Sequence, residues 1–110
     1  MAHLRPPVTI LTDDTGSATG KAYSTTFYGE GGSNVVKFSA TVAGTGAVTA
    51  TVIIDYSNDG TYWALAGATI TLSGTTSHTD GYATVANWPF VRARCTAISG
   101  TGATVTVKMS

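Results

Sequence analysis

Residues 36–56, VKFSATVAGTGAVTATVIIDY, decide the fold class of this chain. Apolar side chains occupy every second position in 36–42, and the same parity continues through 48–56 after the glycines of 44–46. A period of two is that of a β-strand with one buried face. The pattern therefore predicts two strands joined by a hairpin turn at the glycines.

The same alternation recurs along the chain, and no window shows the spacing of an amphipathic helix. Turn signals separate the alternating stretches at the spacing typical of a β-sandwich or small barrel. We therefore predict an all-β fold, a single small β-sandwich of jelly-roll or immunoglobulin-like topology with about eight antiparallel strands. The predicted strands lie at residues 8–11, 22–28, 36–42, 48–56, 63–72, 82–84, 91–97 and 103–109.

The last two predicted strands form a C-terminal hairpin around residues 98–102. If Ala97 pairs with Ala103 so that the apolar residues share the buried face, Arg92 lies opposite Lys108, and the other arginine of that strand lies one pleat further on. The three cations then share one outer face, and neither strand contains an acidic residue.

This basic face has two interpretations. Arg92, Arg94 and Lys108 form either a patch that binds an acidic protein surface or a phosphate, or a set of solvated side chains paired with Asp55 or Asp80 of a neighbouring strand. The second interpretation has weight because most surface ion pairs contribute little to stability or binding.

The composition of the chain limits its partners. Six basic and six acidic residues give a formal net charge of zero, and charged residues are 11% of the chain, less than half of the roughly 25% in an ordinary soluble domain. A chain with a net charge of zero lacks the excess of basic residues that is typical of proteins that bind nucleic acid or an anionic membrane. We expect no specific nucleic acid and no membrane partner, whereas low charge repulsion favours self-association as a dimer or trimer.

The N-terminal residues differ in character from the rest. Residues 1–7 end in two prolines, which resist both a helix and a central strand. We therefore predict an extended N-terminal arm over residues 1–7 and a β-sandwich domain over residues 8–110. The absence of a signal-peptide pattern predicts synthesis in the cytoplasm. The arm residues expected to contact a partner are Leu4, Arg5, Pro6 and Pro7.

Candidate catalytic groups are few. His78 lies in a polar segment, residues 73–80, that we predict to be a loop with a solvated imidazole, and Cys95 alternates into the buried face of its strand. The chain has no zinc-ligand spacing, nucleophile elbow or phosphate-binding loop. We expect a protein without enzymatic activity and without a cofactor.

The segment 55–60, DYSNDG, superficially fits the start of a calcium loop, but its twelfth position is Ala66 where the loop needs a bidentate Glu. A hairpin turn explains these residues better. Aromatic side chains beside the turn could instead form a platform for a sugar ring. Trp63 shares the parity of Leu65 and is expected in the core, which leaves Tyr62 as the possible sugar contact.

Four segments resemble small virion proteins of tailed bacteriophages: 56–63 (YSNDGTYW), 79–82 (TDGY), 89–94 (PFVRAR) and 97–107 (AISGTGATVTV). The resemblance covers residues 36–110. It implies a β-sandwich or jelly-roll module, without enzymatic activity, that decorates and cements the head or serves as a small head–tail part. The run from Ser57 to Trp63 also resembles part of discoidin-type sugar-binding domains, which are longer and are usually tied by a disulfide.

The residues and the resemblance together predict a structural virion protein. We expect a bacteriophage capsid decoration, or cement, protein that binds the major capsid protein and stabilises the head lattice. It would be made in the bacterial cytoplasm and reside on the capsid surface. The alternatives are a carbohydrate- or receptor-binding module of a phage tail and a head–tail connector part. The expected capsid contacts are the N-terminal arm and the side chains of Arg92, Arg94 and Lys108.

Overall fold

The computed structural model describes residues 7–24, 35–85 and 88–110. These residues form five β-strands and no helix, so the predicted all-β class is confirmed. In the same ranges, no helix is long and apolar enough to cross a membrane. The strands are β1 (Val8–Asp13), β2 (Tyr23–Ser24), β3 (Val35–Ser57), β4 (Trp63–Val85) and β5 (Phe90–Met109).

The strands form one antiparallel sheet in the order β1–β5–β3–β4, with β2 also paired to β5. β1 follows the C-terminal half of β5, where Val8 lies opposite Met109. β2 follows the N-terminal half, where Tyr23 lies opposite Val91. Residues 8–24 therefore run along one side of β5 as two short strands with a loop between them.

Three strands are longer than predicted because they run through segments that the sequence marks as turns. The segments 44–46, 73–77 and 98–102 lie inside β3, β4 and β5. The ladders between these strands shift register close to the same positions, for example between Ala43 and Ala47. Such shifts are bulges, in which extra residues of one strand stay out of the pairing. The described residues thus form five strands where about eight were predicted.

The two hairpins predicted at 44–46 and 98–102 are wrong. Both halves of β3 pair with β4 on one side and with β5 on the other, and Ala97 lies opposite Thr51 instead of Ala103. Glycines with positive φ serve hairpin turns and strand bulges equally well, so their presence does not distinguish the two. Whether a glycine segment forms a hairpin turn or a bulge depends on which strands pair with the residues on either side of it. Only the tertiary structure shows that pairing.

β3 cannot be straight. Its 23 residues would span about 75 Å at about 3.3 Å per residue, whereas the longest dimension of the Cα trace is 45 Å. The side chains of Tyr56 and Tyr82 hydrogen-bond to each other, although Tyr82 pairs with Phe38 near the opposite end of β3. The sheet therefore bends back on itself at the bulges and brings the two ends of β3 together.

The inner face of the bent sheet carries the core. Val36 and Val42 before the bulge in β3, and Val48 and Ile54 after it, are each at most 1% exposed. Buried side chains from both halves of β3 and β5, and from residues 68–72 of β4, belong to one hydrophobic cluster. The predicted alternation is confirmed, and the odd-numbered residues of β3 consequently face outward.

Candidate interaction site

Three charged side chains meet on the outer face of β3 and β5. Asp55 lies directly opposite Arg92 in the ladder, and its side chain is fully buried. Arg92 Nε donates a hydrogen bond to Asp55 Oδ2 at 3.0 Å. Arg94 Nε donates to the same oxygen at 2.6 Å, and its Nη2 donates to Oδ1 at 3.2 Å. The two arginine side chains are 22% and 23% exposed, so the ion pairs are largely shielded from water.

The prediction of one unneutralised basic face is wrong. Asp55 of the adjacent strand β3 pairs with both Arg92 and Arg94, as the second interpretation of these residues anticipated. Lys108 lies in the other half of β5, opposite Ser39, and is exposed. It is separated from the arginines because β5 is one continuous strand and does not fold into a hairpin.

Trp63 belongs to this site and not to the core, which corrects the prediction. Its side chain is half-buried, and Arg92 Cζ lies 4.4 Å from the centre of its ring. This distance is within the range of a cation–π interaction, which is strongest with tryptophan. The ring therefore holds the Arg92 guanidinium from one side while Asp55 holds it from another.

A bulge in β4 forms the third side of the site. Residues 65–67 together oppose the single residue Asp55 in the β3–β4 ladder. Leu65 is 62% exposed, although burial was predicted from the parity that it shares with Trp63. Gly67 gives room for Tyr56, since a Cβ at this position would lie 2.0 Å from the Tyr56 ring. We define the Asp55 site as Asp55, Trp63, Leu65, Arg92 and Arg94.

The predicted hairpin turn between β3 and β4 is confirmed. Ser57 Oγ accepts hydrogen bonds from the N–H groups of Asp59 and Gly60 at 3.2 and 2.9 Å and donates to Tyr62 O at 2.5 Å. Asp59 Oδ1 accepts from the N–H groups of Thr61 and Tyr62 at 2.8 and 2.9 Å, and these two bonds lower the Asp59 pKa. Of the side chains that a calcium loop would present, Ser57 and Asp59 are thus bonded to the turn's own backbone, and Asp55 is bonded to two arginines.

Tyr62, the possible sugar contact, is 81% exposed at this turn, as the sequence predicted. The rings of Tyr56 and Trp88 stack elsewhere, with centroids 6.3 Å apart and planes inclined by 13°. Burial, and then the neighbouring Tyr82 hydroxyl, raise the pKa of Tyr56. Within the described residues, Tyr62 does not share a stacked platform with these aromatic rings.

The other predicted residues lie apart from the Asp55 site. Of the predicted arm contacts, Leu4, Arg5 and Pro6 lie outside the described residues, and Pro7 is exposed. His78 is in strand β4 and not in a loop, and its Nδ1 accepts a hydrogen bond from the Ser73 N–H at 3.1 Å. Cys95 is buried as predicted, and burial raises the pKa of its thiol.

Asp13, which is buried at the end of β1, has a structural role that was not predicted from the sequence. Its two carboxylate oxygens accept hydrogen bonds from the N–H groups of Thr15, Gly16, Ser17 and Ala18 and from the Thr15 hydroxyl. Burial acts to raise the Asp13 pKa, but these bonds outweigh it and hold the pKa well below its ordinary value. The Asp-x-Thr-Gly spacing, which is typical of an Asx-turn, was the available signal.

Comparisons with known proteins add no relative to this picture. No protein-family model, curated protein or solved structure matches the chain. Across residues 7–24, 35–85 and 88–110, no group of three or more His, Cys, Asp or Glu is placed to hold a metal ion. The geometry of the Asp55 site and the resemblance of the four sequence segments are therefore the features that point to a function.

Proposed function

We propose that this chain is a structural virion protein of a tailed bacteriophage, a decoration protein that binds the major capsid protein and stabilises the head lattice. The observation that carries the proposal is the Asp55 site, where two arginines are held in fixed positions by Asp55 and Trp63, and the exposed Leu65 lies in the bulge opposite Asp55. Tryptophan and arginine are enriched in the residues that dominate protein–protein binding.

In this proposal the bent sheet is a β-sandwich, and the two halves of its long strands are the two layers. The bulges divide β3, β4 and β5 into two segments each, which together with β1 and β2 correspond to the predicted strands of a jelly-roll or immunoglobulin-like sandwich. The single hydrophobic cluster that joins both halves supports this interpretation.

A role in binding, and not in catalysis, fits the state of the buried ionisable groups. Asp13 is held by backbone N–H groups, Asp55 by two arginines, and Cys95 donates from its thiol to the Ala97 carbonyl. A general acid or base must be able to reach a substrate proton. Within the described residues these three groups are instead engaged in holding the fold, which supports a non-enzymatic protein without a cofactor.

A repeating lattice also fits the low charge of the chain, in which 11% of the residues are charged. A protein whose folded state binds to the subunits of a lattice is stabilised by mass action, because the unfolded state does not bind. Self-association as a dimer or trimer would let several weak contacts act together. The proposed location is the outer surface of the capsid, after synthesis in the host cytoplasm.

The proposal is tested on virions produced from the genome that encodes this chain. Gold-labelled antibody against the chain should decorate heads at high copy number, and heads lacking the chain should regain label when the purified protein is added. Label confined to the neck would support a head–tail connector instead. Absence of label on intact and opened particles would rule out a virion protein altogether.

A second candidate is a carbohydrate- or receptor-binding module of the tail, favoured by the exposure of Tyr62 at the β3–β4 turn. It predicts label on tails and binding of the purified chain to host surface glycans. A glycan array that gives no signal, together with label on heads, would exclude this candidate. Binding to one glycan, together with label on tails, would favour it over decoration.

A further inference from the structure

The Asp55 site has an excess of positive charge within the described residues. Two guanidinium groups share one carboxylate, and no second carboxylate of residues 7–24, 35–85 or 88–110 lies within salt-bridge distance of either arginine. Both arginine side chains are more than three-quarters buried. A charge that is partly removed from water gains more from a partner than one that is fully solvated.

Arg92 is the group that can accept such a partner. Each guanidinium carries five N–H donors, of which Arg94 gives two to Asp55 and Arg92 gives only its Nε–H. The Trp63 ring and Asp55 fix the position of Arg92, so little conformational freedom is left to lose on binding. Its remaining donors form a planar fork that matches the two oxygens of a carboxylate.

The charge and the neighbouring side chain define the ligand. One excess positive charge is balanced by a carboxylate, whereas a phosphate group with its charge of about −1.5 to −2 would reverse the sign of the site. Leu65, 62% exposed, offers an apolar surface in the β4 bulge opposite Asp55, two residues along the strand from the Trp63 that contacts Arg92. An apolar neighbour favours a protein side chain over the hydroxyl-rich surface of an acidic sugar.

We infer that the Asp55 site binds one Asp or Glu side chain of a partner protein, presented beside an apolar residue that packs on Leu65. The inference rests on the proposed function, in which this partner is the major capsid protein. The contacting group of the partner is thus a carboxylate, and Lys108 is not part of the contact. The carboxylate binds the Arg92 fork, Asp55 and Trp63 hold that fork in place, and Arg94 keeps Asp55 neutralised.

The test compares two variants that change the net charge equally. Arg92→Gln removes the fork but leaves both Arg94–Asp55 hydrogen bonds, so Asp55 keeps a partner. Lys108→Gln removes an exposed cation in the other half of β5 and is the matched control. NMR signals of the arginine Nε–H groups and the Leu65 methyl groups are followed during titration with the peptides acetyl-Leu-Glu-Leu-amide and acetyl-Leu-Gln-Leu-amide, with a galacturonate oligosaccharide, and with inorganic phosphate.

The Glu peptide should shift the Arg92 and Leu65 signals, and the Gln peptide should not. Arg92→Gln should weaken binding of the Glu peptide by roughly tenfold, the effect of losing one charge-assisted bidentate contact, while Lys108→Gln stays within about twofold. Equal binding of both peptides, equal loss in the two variants, or tighter binding of galacturonate or phosphate would each overturn the inference. Should Arg92→Gln unfold, Arg92→Lys, which keeps the charge and loses the fork, must show the same selective loss.

The same variants added to heads lacking the chain separate the two proposals. Binding of the Glu peptide without binding to heads would refute the decoration function and leave the carboxylate site standing. Binding to heads with equal occupancy of Arg92→Gln and Lys108→Gln would refute the site and leave the function standing. The inference expects lower head occupancy for Arg92→Gln alone, with a larger difference at low salt than at high salt.

Discussion

At the scale of single residues, Asp55 shows how a carboxylate becomes fully buried on the outward face of a sheet. Arg92 and Arg94 cover it from β5, and the bulge at 65–67 lies opposite it in β4. Removing water from a charge is unfavourable unless partners replace the lost hydration. Two guanidinium groups provide that replacement, so the three residues depend on one another.

We predict that Asp55→Asn lowers the free energy of unfolding by about 2 kcal/mol, since it leaves two partly buried guanidinium groups without a counter-charge. Urea denaturation followed by tryptophan fluorescence measures this change. Asp80→Asn removes an exposed carboxylate from β4 and should change stability by less than about 0.5 kcal/mol. Equal effects of the two substitutions would contradict the structural role of Asp55.

Asp13 gives a prediction about pH. Hydrogen bonds to its carboxylate hold the folded-state pKa below the unfolded value, so the stability they provide is present at neutral pH and is lost as pH falls below about 4. Asp13→Asn should cost about 2 kcal/mol at pH 7, and its deficit against the native chain should shrink in acid. Thermal unfolding from neutral pH to about pH 3 checks this, with Asp14→Asn, an exposed neighbour, as the control. A deficit that is constant with pH would disprove the assignment.

At the scale of elements, the predicted glycine turns at 44–46 and 98–102 are bulges within long strands and not hairpins between short ones. Of the predicted hairpin turns, the one at Ser57–Tyr62 is present in the described residues. Ser57 and Asp59 accept hydrogen bonds from its backbone N–H groups and so stabilise it. The glycine segments 44–46 and 98–102 instead continue as parts of the strands β3 and β5. Glycine permits a change of direction, but side-chain hydrogen bonds close a turn.

We predict that Gly67→Ala destabilises the protein by about 2 kcal/mol through overpacking. The new Cβ would lie 2.0 Å from the Tyr56 ring, which cannot move aside freely because it stacks on Trp88. Gly81→Ala is the matched control in the same strand, where the nearest atom, the Phe38 carbonyl oxygen, is 3.3 Å away. Chemical denaturation should show a much smaller effect for the control, and similar losses for both glycines would argue against the bulge geometry.

At the scale of the whole molecule, the sheet bends so that both halves of β3 and of β5 cover one core, together with residues 68–72 of β4. The consequence for the candidate site is that the cations of β5 lie in different halves of the strand: Arg92 is next to Asp55, and Lys108 is next to Ser39. Alternation along a strand assigns a residue to a face. It does not show which other strand lies beside that residue, so it cannot predict contacts between charged groups of separate segments.

Engineered disulfides test this arrangement. Ser39→Cys with Lys108→Cys, in a chain with Cys95→Ala, should form a disulfide on mild oxidation, because the two residues lie directly opposite in the β3–β5 ladder. Thr96→Cys with Thr104→Cys, which the C-terminal hairpin would have placed opposite each other, should stay reduced. Thiol titration and a mobility shift on non-reducing gels report the result. Oxidation of the second pair in preference to the first would refute β5 as a continuous strand.

The sequence predicted a large part of the fold and only part of the site. The all-β class, the buried alternation from Val36 to Ile54, the exposure of Tyr62 and the burial of Cys95 followed from period and composition. These properties depend on residues close together in the chain. The placement of Trp63 was wrong because Trp63 has the opposite parity to the buried Ala68, Ile70 and Leu72, and the bulge between them adds two residues, which leaves the parity of β4 unchanged.

By itself, the sequence determined which residues prefer an extended backbone and which side of each strand is apolar, since side chains of a strand alternate between two faces whatever its neighbours are. Only the tertiary structure decided that the glycine segments continue as strands and that β3 lies between β4 and β5. It thereby placed Asp55 against Arg92 and Arg94, a contact across 37 and 39 residues of chain. The physical reason is that long-range pairing depends on how all the apolar faces are buried together, and that is a property of the whole chain.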